Sequence, residues 1–175
     1  EVSEAIEAAF SGLPVNRVQQ GQASFDLVLR FDPSTRANLD AVRANYRAIV
    51  RYLASADRPA PGIIAVVKAN AYGHGAPQVA RALEEAGAAM LACADIEEAV
   101  VLRQAGVRAP ILVFGALSVS NLDGIFDYGL TPTISTPGAA RALQAAAVSR
   151  GVTLRCHLKI DTGMNRLGFR HDNVD

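Results

Sequence analysis

The strongest constraint on the fold is a regular alternation of short apolar segments and helix-forming segments between residues 63 and 160. Apolar and β-branched side chains predict strands over 63–67, 90–94, 111–114, 131–134 and 152–160. The segments between them predict helices over 76–86, 95–105, 118–128 and 137–150, and a glycine follows each of the last three. Strands that alternate with helices over short connections form a parallel sheet with right-handed crossovers. The sequence therefore predicts an α/β fold, either a doubly wound sheet or part of a (β/α)8 barrel.

The fifth predicted strand favours the barrel. Along 152–160 apolar residues alternate with polar ones, so that one face carries His157 and Lys159. Strands of a doubly wound sheet are covered on both faces and are usually apolar throughout, whereas a polar face suits a barrel interior that leads to an active site. We therefore predict the N-terminal part of a (β/α)8 TIM-type barrel over 36–175. It is incomplete in this chain, because such a barrel needs about 250 residues.

The first 35 residues are weakly patterned, and we interpret 1–35 as an N-terminal extension. Within it, 2–10 has the spacing of a short amphipathic helix and 24–31 alternates like an edge strand. The next helix is predicted to start near Leu39, with Asp40 as its N-cap, and to end before Pro59.

Composition argues against several classes of function. Seventeen basic and 17 acidic side chains cancel, so the chain has no electrostatic footprint for nucleic acid. No apolar run approaches the ~20 residues of a membrane span, and no signal peptide is visible. Cys93 and Cys156 lie far apart without a C-x-x-C pattern, which is typical of buried thiols in a reducing compartment. We expect a cytoplasmic protein without nucleic-acid or membrane partners.

Only two of the 17 basic residues are lysines, Lys68 and Lys159. A lysine amine, unlike an arginine guanidinium, can lose its proton and form an imine or a carbamate. Lys68 follows the first predicted strand of the series, at the end where α/β folds build active sites, and Lys159 lies near the end of the fifth. Both amines could therefore point into the same opening of the barrel, at the carboxyl ends of its strands. The alternative is that they reach solvent or pair with carboxylates at a barrel rim.

The segments after the two lysines contain further candidate residues. The loop 69–75 has two glycines and could present backbone N–H groups and the Tyr72 hydroxyl to a phosphate, although it matches neither G-x-G-x-x-G nor the Walker A pattern. Arg166, after the fifth strand, could bind a carboxylate or a cofactor oxygen, or could simply cap a turn at the surface. His74, His157 and His171 lack metal-ligand spacing, so no metal site is predicted.

Two stretches of the sequence closely resemble the signatures of alanine racemases. The first, AVVKANAYGHGA at 65–76, resembles their cofactor-attachment motif, and the second, HLKIDTGMNRLG at 157–168, resembles their second signature. The motifs lie in the right order, and the resemblance runs from about 36 to 169, with a fair match at 38–46. Ala37 and Asn38 depart from the Ile-Asp start that is usual in the family.

The resemblance implies a fold-type III enzyme dependent on pyridoxal 5′-phosphate (PLP) that interconverts L-alanine and D-alanine and supplies D-alanine for peptidoglycan. Lys68 would hold PLP as a Schiff base and act as the base on D-alanine. Tyr72 would bind the phosphate, and Arg166 would contact the cofactor's phenolic oxygen and the substrate carboxylate. Lys159 would be carbamylated and would fix Arg166.

The resemblance also implies supporting roles and a larger, homodimeric enzyme. Asn70 and His157 would support the site. The family pattern continues beyond residue 175, and the second base, a tyrosine of the partner subunit, belongs to a C-terminal β domain. We therefore expect this chain to be an N-terminal portion that is inactive alone.

Other functions remain compatible with parts of the sequence. A non-catalytic PLP-binding protein of cofactor homeostasis shares the barrel, and a broad-specificity amino-acid racemase shares much of the first motif. A basic amino-acid decarboxylase is another fold-type III alternative. The Tyr-Gly-His-Gly loop and the Asp-Thr-Gly-Met segment favour an alanine racemase, and a purely structural protein is hard to reconcile with both motifs.

Overall fold

The computed structural model of the protein describes residues 13–20, 23–29, 38–54, 60–117, 121–170 and 172. The helix predicted within 2–10 lies outside the described residues. The strand predicted over 24–31 is confirmed for 24–29 as β2 (Ala23–Leu29), which pairs antiparallel with β1 (Leu13–Gln20), and residues 30 and 31 lie outside the described residues. This hairpin is a two-stranded sheet of its own.

A five-stranded parallel sheet follows the hairpin. Its strands are β3 (Ile64–Val66), β4 (Met90–Cys93), β5 (Ile111–Val113), β6 (Thr131–Ile134) and β7 (His157–Leu158). They lie side by side in chain order, β3-β4-β5-β6-β7, and every pair is parallel. A doubly wound sheet reverses its strand order at a switch point, whereas a barrel adds each new strand on the same side. The chain therefore forms part of a barrel, which is not closed here.

The helices confirm most of the predicted series. They are α1 (Leu39–Leu53), α2 (Ala76–Glu85), α3 (Ile96–Gln104), α4 (Asp123–Asp127) and α5 (Pro137–Arg150). Helix α4 is shorter than the predicted 118–128, and residues 118–120 lie outside the described residues.

The N-cap predicted for α1 was wrong. Asn38, not Asp40, caps this helix, because its Oδ1 accepts a hydrogen bond from the Ala41 N–H at 3.0 Å. An N-cap residue lies just outside the helix, so that its side chain can reach the free N–H groups of the first turn. Asp40 is already helical, and its carboxylate pairs with Arg43 instead.

The fifth strand is the main correction to the predicted fold. Only His157 and Leu158 pair with β6, while β8 (Ile160–Asp161) pairs with β9 (Phe169–Arg170) in a separate ladder. The predicted apolar face is also not buried, since Leu158 is 56% exposed. A strand needs a hydrogen-bonding neighbour, and within the described residues β7 has one only on its β6 side.

The core lies between the parallel sheet and its helices. Leu91 and Cys93 of β4 and Ile111 and Val113 of β5 belong to it, together with apolar side chains of α2 and α3. Cys93 is buried as predicted, but Cys156 is exposed, because it lies beside the open edge of the sheet. Among the residues that the structure describes, no helix is long and apolar enough to cross a membrane.

Candidate active site

The face of the sheet that points away from the helices carries both lysines. Four pairs of residues align across this face: Val66 with Ala92, Ala92 with Leu112, Leu112 with Thr131, and Thr133 with His157. Side chains two residues apart on a strand share a face. Three side chains come two positions after an aligned residue: Lys68 after Val66, Phe114 after Leu112, and Lys159 after His157. They therefore lie on this same face, at the carboxyl ends of the strands.

The Lys68 amine extends across the carboxyl end of the sheet. Its Nζ lies 5.7 Å from the centroid of the Phe114 ring, within the range of a cation–π contact. Phe114 follows β5, two strands away from β3, so the amine lies over the middle of the inner face rather than at the rim. Within the described part of the chain, neither Lys68 nor Lys159 has a carboxylate within ion-pair distance of its Nζ.

The backbone after Lys68 forms a left-handed turn, in the segment Lys68–Tyr72. Ala69, Asn70, Ala71 and Tyr72 all have φ between 51° and 55°, and ψ of the first three lies between 44° and 50°. These are the angles of a left-handed helix, which costs roughly 1–2 kcal/mol for each residue that carries a Cβ. The sequence predicted a loop made possible by its glycines, but non-glycine residues form this turn and Gly73 and Gly75 only follow it.

Hydrogen bonds at both ends hold the left-handed turn. The Ala71 N–H donates to the Val67 carbonyl at 2.9 Å, and the Gly75 N–H donates to the Asn70 carbonyl at 3.0 Å. The Asn70 side chain reaches further, since its Oδ1 accepts from the Ala76 N–H at 2.7 Å. Asn70 thereby joins the turn to the first residue of α2.

Glu98 of α3 is a residue of this site that the sequence reasoning missed. Its Oε1 accepts a hydrogen bond from the Ala69 N–H at 2.6 Å, and its Oε2 accepts one from the Ala94 N–H at 2.8 Å. The signal in the sequence was the spacing Asp95-x-x-Glu98, a capping-box pattern in which Asp95 Oδ1 does accept from the Glu98 N–H. That pattern places the glutamate beside its own helix and gives no hint of the contact with Ala69.

The left-handed turn and α3 leave a cavity of about 250 Å³ between them. Val67, Asn70, Ala76, Glu98, Val101 and Leu102 line it. Tyr72, the last residue of the turn, is 49% exposed, and its hydroxyl makes no hydrogen bond with the described residues. The hydroxyl is therefore accessible to a ligand.

The segment after β7 folds back onto Lys159. The Lys159 N–H donates to the Ile134 carbonyl at 2.9 Å, and the Lys159 carbonyl accepts from the Phe169 N–H at 2.8 Å. Gly168 makes this return possible, because its φ is +120° and a Cβ there would lie 2.8 Å from the Lys159 carbonyl oxygen. No residue with a side chain fits that position without a shift of the backbone.

Asp161 shapes the loop that carries Arg166. Its Oδ1 accepts from the N–H groups of Gly163 and Asn165, both at 3.0 Å. These donors, first Asn165 and then Gly163, lower the pKa of the Asp161 carboxyl below its ordinary value. Arg166 and His157 are exposed, and Arg166 makes no hydrogen bond or ion pair within the described residues.

The chemistry available at this face follows from its groups. Lys68 offers an amine that no carboxylate of the described residues holds, next to an aromatic ring and a left-handed turn. Such an amine can attack a carbonyl carbon. Lys159 follows β7, which is four strands away from β3 at the opposite edge of the sheet, and Arg166 lies in the loop between β8 and β9 of a separate ladder. The strand order therefore does not make either residue a neighbour of Lys68. The described residues contain no cluster of three or more His, Cys, Asp or Glu that could hold a metal ion.

A family model described as alanine racemase, N-terminal domain, matches residues 37–175. An alanine racemase of Desulforamulus reducens is 44% identical over 135 residues, which are 77% of this chain and 35% of the relative. The chain thus spans about a third of the length of the curated relatives that it matches.

Solved structures of alanine racemases have the same fold. The structure of the enzyme from Streptomyces lavendulae, a producer of D-cycloserine, superposes with a TM-score of 0.69 at 40% identity, covering 77% of this chain and 34% of that one. An alanine racemase of Bartonella henselae with covalently bound pyridoxal phosphate has a TM-score of 0.67 at 28% identity, covering 77% of this chain and 38% of that one.

Proposed function

The chain belongs to the alanine racemase family through its N-terminal domain, and from this premise we propose that the complete protein interconverts L-alanine and D-alanine with PLP. The observation that carries the proposal is the position of the Lys68 amine, which lies 5.7 Å from the centroid of the Phe114 ring on the inner face of the sheet and has no ion-pair partner among the described residues. A lysine held in this way is available for covalent bonding to an aldehyde. Peptidoglycan synthesis is the use that we propose for the D-alanine.

The residues present suit PLP. Lys68 supplies the amine, the accessible Tyr72 hydroxyl can donate to a phosphate oxygen, and the ring of Phe114 provides an apolar surface beside the amine. Gly115 lets the segment that carries Phe114 lie close to the Ala94 carbonyl after β4. When bound, PLP withdraws electrons from the substrate's α-carbon and makes its hydrogen acidic.

In this proposal Lys68 moves the proton of D-alanine. Its amine takes the proton from Cα on one face of the substrate and returns it to Cα in the reverse direction. The left-handed turn keeps the amine on that face, because Ala69 and Asn70 are both tied to neighbouring helices. The proton on the opposite face requires a second base, which we propose comes from the C-terminal part of a partner subunit in a homodimer.

Arg166 and Lys159 are proposed to act together. Both are exposed, and neither makes an ion pair within the described residues. In carbamylation the neutral Lys159 amine would add to carbon dioxide and lose a proton to solvent. The resulting anion would attract the Arg166 guanidinium and orient it towards the substrate carboxylate. Electron density beyond Lys159 Nζ would support this arrangement, and a bare amine bonded to a carboxylate would contradict it. His157 is proposed to support Lys159 from the same face.

We propose that the complete protein is located in the cytoplasm. L-Alanine is available in that compartment, and the Cys93 thiol stays reduced there. The proposed division of the chain is an extension over 1–35 and a barrel domain over 36–175. Residues 1–175 on their own are expected not to racemise alanine, because the proposed second base belongs to the C-terminal part of a partner subunit.

The cofactor assignment is tested first, with purified complete protein and added PLP. We expect an absorbance band from lysine-linked PLP in the wild type and its loss in Lys68→Ala. Lys68→Arg is the matched variant, since it keeps the positive charge but cannot bond covalently to the aldehyde, and it should lose the band as well. An intact band in Lys68→Ala would exclude Lys68 as the attachment site.

The activity is tested by chiral analysis of alanine after incubation with pure L-alanine. D-Alanine should accumulate with the wild type and not with Lys68→Ala. A protein that binds PLP through Lys68 but produces no D-amino acid from any L-amino acid offered would instead be a non-catalytic PLP-binding protein. Turnover of other amino acids at rates similar to that of alanine would indicate a broad-specificity racemase.

A further inference from the structure

The Glu98 carboxylate joins three parts of the fold at the point where the Lys68 loop begins. It belongs to α3, and its two oxygens accept hydrogen bonds from Ala69 N–H at 2.6 Å and from Ala94 N–H at 2.8 Å. Ala69 follows Lys68 directly, and Ala94 follows the last residue of β4. Both are hydrogen bonds to a charged acceptor, the stronger class in proteins.

The left-handed turn needs the hydrogen bond from Ala69 N–H to the Glu98 carboxylate. Four successive residues with a Cβ occupy the left-handed region, and such a conformation persists only where surrounding contacts impose it. Asn70 Oδ1 holds the end of the turn through Ala76 N–H. Glu98 holds its beginning, and the cavity of about 250 Å³ beside it leaves room for the backbone to move once the carboxylate contact is lost.

We propose that Glu98 is a positioning residue, which fixes the backbone after Lys68 and thereby holds the lysine amine above the Phe114 ring. This inference rests on the proposed function, because it concerns the lysine that would carry PLP. Glu98 itself contacts backbone N–H groups and no reacting atom. Its effect on PLP passes through the orientation of Lys68.

The site requires a carboxylate rather than an amide. The two N–H donors approach different oxygens, and each needs an acceptor. A glutamine has one acceptor oxygen, and its NH₂ group would face the second N–H donor. An aspartate keeps both acceptors but is one methylene shorter, so it can reach only one of the two backbone groups.

The experiment compares Glu98→Gln, Glu98→Asp and the control Glu97→Gln in the complete protein with added PLP. Glu97 lies in the same turn of α3, but its carboxylate is exposed and accepts from the Asn121 side chain. The readouts are the dissociation constant of PLP, the visible circular dichroism per bound PLP, and the unfolding temperature. Circular dichroism of a bound chromophore reports its fixed orientation, which a loss of overall stability alone does not change.

In Glu98→Gln we expect the PLP dissociation constant to rise by about tenfold or more, since hydrogen bonds to a charged group are lost. The circular dichroism per bound PLP should fall, Glu98→Asp should lie between Glu98→Gln and the wild type, and Glu97→Gln should match the wild type. Unchanged affinity and dichroism in a folded Glu98→Gln would overturn the proposal. So would a failure of both Glu98 variants to fold, because the residue would then serve the whole fold.

The proposed function can fail separately. If the wild type itself forms no band that depends on Lys68, the cofactor assignment is refuted before any Glu98 variant is compared. If the wild type forms that band and Glu98→Gln behaves like Glu97→Gln, only the positioning role is refuted.

Discussion

Replacement of Gly115 by alanine should destabilise the protein more than any ordinary surface substitution. A Cβ at this position would lie 2.2 Å from the Ala94 carbonyl oxygen, so the two atoms would have to separate by about 1.2 Å to reach ordinary contact. The Gly115 N–H donates to that same oxygen at 3.0 Å. Movement of Ala94 is opposed on its other side by the bond from its N–H to Glu98 at 2.8 Å.

The expected loss follows from these contacts. Overpacking in a rigid region costs about 1–3 kcal/mol, and loss of the Gly115 hydrogen bond adds about 0.5–1.5 kcal/mol. We therefore expect Gly115→Ala to lower the free energy of unfolding by about 2–4 kcal/mol, measured by urea denaturation at 25 °C. PLP affinity should fall too, because Phe114, the partner of the Lys68 amine, is the preceding residue.

Gly138→Ala is the matched control. Gly138 lies in the first turn of α5, where a Cβ would meet only the Thr136 Oγ1 at 3.9 Å. This variant should be as stable as the wild type or more stable by up to about 1 kcal/mol, since alanine favours a helix. A loss below about 0.5 kcal/mol in Gly115→Ala would refute the close contact at Ala94.

Two further predictions concern groups outside the lysine loop. Arg103 donates to the carbonyls of four residues, among them Ala109 at 2.7 Å and Val107 at 2.9 Å, so Arg103→Lys should lower the free energy of unfolding by about 1–3 kcal/mol in a urea titration. An equal effect of Arg141→Lys, at an exposed position, would contradict this reasoning. Asp161 should titrate by NMR below the ordinary carboxyl pKa of about 3.9. Because its folded pKa is lowered, its stabilising contribution is complete above the unfolded value and is lost as the pH falls through the folded one, and Asp161→Asn should abolish this dependence.

Local sequence patterns were sufficient to predict most of the parallel strands and the helices between them. Strands β3 to β6 and the helices between them follow from apolar runs, helical spacing and turn residues that act within a few positions of the chain. Gly106, Gly129 and Gly151 illustrate this, since each has a positive φ at the end of a predicted helix, where a residue without a Cβ is favoured. Strand β7 was overpredicted because periodicity alone cannot tell whether a strand has a neighbour.

Some residues of the candidate site were predicted from the sequence, and others were found only in the structure. Lys68 and Lys159 could be predicted from the sequence, because they are its only two lysines and lie at the ends of predicted strands. The register of the strands explains why the two side chains share a face. The sequence did not reveal Phe114 under the Lys68 amine, the left-handed turn, or Glu98. Each of these depends on a neighbour distant in the chain, as Ala69 and Glu98 are 29 residues apart.

The sequence by itself determined the α/β class, the order of the elements and the residues able to form an imine, because propensity and chemical type are local properties. Only the tertiary structure decided where the Lys68 amine lies and what holds it there. A left-handed backbone at residues with a Cβ is locally unfavourable, so no local pattern predicts it. It exists because contacts from α2 and α3 outweigh its cost, and those contacts form only when the chain is folded.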